Sequence, residues 1–315
     1  MVLNTDQRKL RVVFILKNRN YRSVARLVCM LQKSTIQLLR FHFSLFLLPV
    51  YLFALSQLHD IDKTRAILIF IILHVLVYPS SNGYNSYMDR DESPIGGLNN
   101  PMQPTKQLFY VSIVMDILAT LLSVTISIYF AFGVVIYILA SRAYSYRGIR
   151  LKRYPVLGYL TVVICQGALV FYITYHGAAA LQTLNVPVLP MIAASCLIGG
   201  YYPLTQIYQH NEDKNDGVQT ISILLGKRGT FVFCGIIFAI ATLVLFLTFK
   251  QQNNLRFFWL FIVCMSPMAL FFSKWMMQVW RDERAASFKN SLTTNLLASV
   301  CTSVCFLIII ILKTV

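Results

Sequence analysis

The chain has 315 residues, 57% of them hydrophobic and only 13% charged, with a net charge of +16 and a mean hydropathy of +0.63. A soluble globular domain is nearer half apolar and about a quarter charged, so this composition excludes an ordinary soluble enzyme or binding module. The basic residues are distributed along segments that flank long apolar runs, which fits a membrane surface rather than nucleic acid, and no nucleic-acid partner is expected.

Residues 1–35 are basic, with short apolar stretches, and are expected to form a cytoplasmic or interfacial N-terminal segment. The first apolar run, Val12 to Leu16, is too short for a signal peptide. Segment 21–33 sets Arg22 and Arg26 on one side and Val24, Leu27, Val28 and Leu31 on another, as a helix on an anionic bilayer surface would. A disordered basic tail fits its composition equally.

Crossing a bilayer takes roughly 20 mostly apolar helical residues, because the backbone must satisfy its own hydrogen bonds there. Such runs predict an all-α membrane domain over 36–315, with spans at 36–58, 66–88, 107–123, 125–142, 156–176, 186–208, 230–249, 257–280 and 292–312. With Met1 inside, 22 Lys and Arg fall on the cytoplasmic side and 5 on the other, with Lys274 inside a span. The positive-inside rule then places the N-terminus in the cytoplasm and the C-terminus opposite. That requires an odd number of spans, which nine satisfies, and a bacterial inner membrane is the expected location. Seven cysteines are scattered without a C-x-x-C pair and read as reduced packing residues.

Two predicted cytoplasmic loops, 82–106 and 208–229, hold six of the 12 acidic residues: Asp89, Asp91, Glu92, Glu212, Asp213 and Asp216. Asn85 and Asp89 are four residues apart, so a helix stacks them on one face, just beyond Pro79 and Gly83 where a kink is expected. Gln209 and Asp213 repeat that spacing after the sixth span. Amide and carboxylate oxygens without His or Cys suit a hard cation such as Mg²⁺, which keeps several waters and binds phosphate. Lys106, Arg150, Lys152 and Lys227 are candidates to neutralise a diphosphate. Breaking an allylic C–O bond builds charge on that leaving group, and the allyl cation left behind needs a dry, aromatic-lined cavity. The 17 Tyr and 22 Phe could supply its walls, although lipid-facing packing accounts for most single rings.

The start RFHFSLFLLP, the segments NSYMDRD and YSYRGIRLKRYP, and YQHNEDKNDGVQTISILLG follow one another in an order and spacing that resemble the UbiA superfamily of intramembrane prenyltransferases. The resemblance covers roughly 36–312. It implies a helical barrel around a central cavity, with Mg²⁺ and an isoprenyl diphosphate under the cytoplasmic loops and the prenyl chain in the membrane. It assigns Asn85 and Asp89 to the first metal motif, Asp213 to the second, and Lys152 to the loop lysine, with Lys106 a looser match. Two family carboxylates are missing, replaced by Ser93 and Gln209, so either Asp91, Glu92, Glu212 or Asp216 compensates or the site holds fewer ions. The implied activity is transfer of a prenyl group to a lipophilic or aromatic acceptor. A terpene cyclase that ionises the same diphosphates is the alternative, and a non-catalytic lipid-binding or transport protein the third reading.

Asp116 is the one acid deep in a predicted span, where it either bonds a neighbouring helix or steadies a cation. Gly96–Gly97 marks a turn, His42 reads as interfacial, His74 and His176 as packing or interfacial residues, and His210 has no second His spaced for zinc.

Overall fold

A computed structural model describes residues 31–314, so the expected surface helix at 21–33 lies almost entirely outside the described residues. Within them, nine helical spans are long and apolar enough to cross a membrane: Lys33–Ser56, Lys63–Asp89, Lys106–Val124, Ile128–Ser145, Pro155–Ala178, Val188–Thr205, Ile221–Gln251, Leu255–Arg281 and Phe288–Lys313. Each overlaps its sequence expectation. The unbroken apolar run from 107 does divide in two, at Thr125–Ser127, where Ser127 caps the fourth span by accepting from the Phe130 N–H.

Each span packs on the next, and the ninth returns to the first, so the bundle closes as a ring in chain order. Across the ring, the end of the fifth span (Val170–Ala178) packs on the end of the first (Leu48–Ser56). Phe53 stacks on Phe306 with centroids 4.5 Å apart and lies 5.2 Å from Phe171, filling the centre of the half farther from the acidic loops. The other half is left hollow.

The kink expected at Pro79 takes the form of a π-helical segment, Ile71–Val77, immediately before it. Proline cannot donate to the preceding turn, and a widened turn absorbs that loss. A second π segment, Val163–Leu169, lies in the fifth span. There Gly167 meets the sixth span: a Cβ at this position would lie 2.4 Å from Ser195 Cα and 2.8 Å from Ser195 N. Close helix approach through small residues is how membrane helices gain packing without a hydrophobic drive. Because backbone cannot swing aside, Gly167→Ala should destabilise the protein by about 1–3 kcal/mol. Unfolding in detergent micelles measures this, and an unchanged midpoint would refute the contact.

Asp116 has a partner that the sequence did not reveal. The Arg142 guanidinium of the fourth span holds Asp116 Oδ2 of the third. Ser80 of the second span donates to Asp116 Oδ1 at 2.5 Å and accepts from Arg142 Nη2 at 2.7 Å. The guanidinium also sits 4.1 Å over the Tyr84 ring. Arg142, the last residue of the predicted span 125–142, lies inside the bundle, because helix Ile128–Ser145 continues past it.

Candidate active site

The second span ends at Asp89, where Arg90 adopts the left-handed conformation (φ 58). The predicted helix face is present: the Asn85 amide donates to Asp89 Oδ2 at 2.7 Å and to Ser145 Oγ of the fourth span at 3.1 Å. The Asp89 side chain is only 5% exposed, and Lys152 Nζ donates to its Oδ2 at 2.5 Å. Arg150 Nη2 lies 3.6 Å from its Oδ1 and also pairs with Asp216 of the second acidic loop. The basic loop after the fourth span thus ties both acidic loops together.

The second loop contains a short helix, His210–Asn215, closed by the Val218 N–H on the Asp213 carbonyl at 2.7 Å, with Gly217 at φ 66. Thr220 then caps the next helix, accepting from Ile223 N–H. Gly217 and Thr220, three residues apart in the quoted YQHNEDKNDGVQTISILLG segment, thus shape the turn and start the next helix. His210 hydrogen-bonds Ser222 at 2.8 Å, and burial, reinforced by Lys227 and Lys214, lowers its pKa to about 4, so the ring is neutral at pH 7.

Asp91 and Asp213 join Asp89 electrostatically. Burial first, then repulsion from Asp89, pushes Asp91 up to about 6. Burial pushes Asp213 up to about 7; Lys152 opposes the shift, while Asp91, Asp89 and Glu212 reinforce it. Carboxyls that hold protons so strongly are a set whose repulsion a divalent cation would relieve. Asp89 Oδ1 is buried and accepts no hydrogen bond. Among the described residues no three His, Cys, Asp or Glu converge into a metal cage by themselves. An oxygen-only set of this size fits Mg²⁺ shared with phosphate oxygens, since that ion is commonly held by one or two carboxylates plus substrate phosphate.

Beside Asn85 opens the hollow half of the bundle, a cavity of about 280 Å³. Its walls include Phe43, Phe46, Tyr78, Tyr137, Tyr144, Tyr201 and Tyr202, and it reaches Phe53 at the packed half. The Tyr144 and Tyr202 hydroxyls bond each other, and Gln206 Nε2 donates to Tyr202 at 2.8 Å.

The family model of UbiA prenyltransferases matches residues 45–307. The chain belongs to the UbiA prenyltransferase family. Solved structures share the UbiA fold. A UbiA homologue from Archaeoglobus fulgidus bound to DMAPP and Mg²⁺ superposes with TM-score 0.65 at 20% identity, covering 88% of this chain and 99% of that one. An apo UbiA homologue from Aeropyrum pernix K1 gives 0.64 at 19%, covering 85% and 98%. A digeranylgeranylglyceryl phosphate synthase gives 0.57 at 18%, covering 89% and 97%. No curated protein matches the chain. Family and spans together make this a multi-pass integral membrane protein.

Within this UbiA bundle the structure brings together Asn85, Asp89, Asp91, Glu212, Asp213, Arg150 and Lys152. Four expected residues serve otherwise. Lys227 donates to the Glu283 carbonyl at 3.1 Å, because the break at Gly226 (φ 69) sets it against the loop between the eighth and ninth spans. Gln209 immediately precedes helix 210–215, makes no side-chain cap, and donates its amide to the Pro94 carbonyl at 3.3 Å, joining loop to loop. Asp216 is taken up by Arg150 and is 40% exposed. Lys106 is exposed at the start of the third span and has no ion pair among the described residues. Glu92, the other possible substitute carboxylate, is exposed. The site residues that sequence reasoning missed are Ser145, Tyr144, Tyr202 and Arg40. Tyr144 and Ser145 sit inside the quoted YSYRGIRLKRYP motif, and Arg40 opens the quoted RFHFSLFLLP segment, so all three were within reach.

Proposed function

We propose that this UbiA protein cleaves the C–O bond of an isoprenyl diphosphate in the presence of Mg²⁺ and transfers the prenyl group to a lipophilic or aromatic acceptor. The observation that carries this reading is Asp89: a buried carboxylate with one oxygen that accepts no hydrogen bond, held by Lys152 and Arg150 and bonded to Asn85, which lines an aromatic cavity. Asn85, Asp89 and Asp213 would hold the metal, with Asp91 and Glu212 adding negative charge around it. Mg²⁺ bound there supplies positive charge to the departing diphosphate.

Lys152 and Arg150 stand ready to receive diphosphate oxygens, and their present ion pairs hold them in place. Tyrosine and phenylalanine rings line the cavity, where they would exclude water and stabilise an allyl cation. The packed centre at Phe53, Phe171 and Phe306 favours a short prenyl chain. In this reading 36–315 is the catalytic domain, 1–35 is an interfacial segment, and the acidic loops face the cytoplasm.

The test is product analysis with purified protein, Mg²⁺ and isoprenyl diphosphates of graded length, with and without acceptor. Turnover that needs an acceptor and stops on chelation supports prenyl transfer. Cyclic products without acceptor would establish the terpene cyclase instead, and no pyrophosphate release under any condition would leave only a non-catalytic role. Asp213→Ala is expected to lower pyrophosphate release by roughly 100-fold; near-normal release would remove Asp213 from the site.

A further inference from the structure

Arg40 interrupts the first span between helices Lys33–Leu39 and Phe41–Ser44, in the left-handed conformation at φ 48 and ψ 51. This is a costly conformation for a residue with a side chain. The break points the guanidinium inward, where the residue is 6% exposed and is, among the described residues, the one charged residue lining the cavity. Four features hold it there. Nη2 donates to the Asn82 carbonyl of the second span at 3.2 Å. The guanidinium carbon lies 5.4 Å from the Phe43 ring centroid. Gly96 leaves just enough room, since a Cβ there would lie 2.8 Å from Arg40 Nη1 and 2.8 Å from Phe43 Cζ. Gly97, at φ 83, brings its carbonyl to His42 at 3.3 Å and closes the first acidic loop over the break. The double glycine therefore does more than mark a turn.

What this arrangement lacks is a counter-charge. Among the described residues no carboxylate lies within ion-pair distance of Arg40, and it feels Asp91, Tyr208 and Asp89 only through space. Its Nε–H is buried with no acceptor. Lys152 and Arg150, by contrast, are already paired with Asp89 and Asp216. A buried cation with an unused donor is expensive unless an anion completes it. A planar guanidinium matches phosphate and carboxylate oxygens with two parallel donors.

We propose that Arg40 is an oxyanion-binding residue of the cavity, reached by a phosphate or carboxylate group of a bound reactant. This inference rests on the proposed function for the identity of that reactant. Two sources share the chemistry: the diphosphate of the prenyl donor and an acid group on the acceptor.

The experiment titrates purified protein in detergent with inorganic pyrophosphate plus Mg²⁺, with glycerol phosphate and with benzoate, comparing wild type, Arg40→Gln and Arg40→Lys. Arg40→Gln is expected to weaken binding of at least one anion by roughly tenfold or more, and Arg40→Lys by about threefold, because Lys keeps the charge without the fork. Loss confined to pyrophosphate identifies the donor's diphosphate as the source. Loss confined to glycerol phosphate or benzoate identifies an acceptor's acid group. If Arg40→Gln shows no folded melting transition, Arg40→Lys decides alone. Equal affinities for all three probes in wild type and folded variants overturn the inference and leave the proposed function standing. Wild-type protein that binds benzoate through Arg40 but no pyrophosphate overturns the proposed function and keeps the inference; binding of none of the three overturns both.

Discussion

Asp89→Asn should lower pyrophosphate release by roughly 10²–10³-fold while the protein stays folded. The substitution keeps the side-chain shape, and its amide oxygen can still accept from Lys152, which donates to Asp89 Oδ2 at 2.5 Å. It removes the negative charge and presents an NH₂ where one oxygen now stands, so the cluster loses its most enclosed cation-binding group. Only 5% of the Asp89 side chain is exposed, and water cannot readily replace it. Weakening the Lys152 and Arg150 pairs should cost about 1–3 kcal/mol of stability, which a midpoint shift in detergent would record. Asp89→Ala should be as inactive and less stable, because Lys152 loses its carboxylate partner and Arg150 one of its two. Release within a few-fold of wild type in Asp89→Asn would dismiss the metal and diphosphate assignment.

Asp116→Ala is expected to produce the largest stability loss, about 3–5 kcal/mol, the cost of leaving one member of a buried ion pair uncompensated. Arg142 would keep only the Ser80 hydroxyl and the Tyr84 face, with Nη1 already buried and unbonded. The effect is structural because the pair joins the second, third and fourth spans, and the second and fourth carry Asn85 and Ser145 into contact. Asp116→Leu combined with Arg142→Leu should be less damaging than either single change, since it leaves no orphaned charge. Unfolding of the four proteins in a double-mutant cycle measures this. A stable but inactive Asp116→Ala would instead place the carboxylate in the chemistry.

The acidic site was partly legible because its first half is local. Asn85 and Asp89 sit four apart on a helix, and helical geometry alone brings them together. Lys152 was reachable through the loop motif that contains it. The same local logic failed at Gln209, which repeats the spacing but begins a new helix rather than ending the sixth span, so its amide turns to Pro94. It failed at Lys227, whose charge and position suited a diphosphate until the Gly226 break directed it to Glu283.

By itself, then, the sequence determined the nine spans, the membrane setting and the pairing of Asn85 with Asp89. Each follows from short-range physics: hydrocarbon thickness sets span length, and 3.6 residues per turn sets the helix face. The tertiary structure decided which charges meet. Asp116 and Arg142 come from different spans, Arg150 reaches both acidic loops, and Arg40 faces the cavity only because the chain breaks there and Gly96 makes room. Those contacts depend on how each helix is rotated about its axis and on which spans the closed ring makes neighbours, and no local pattern encodes either.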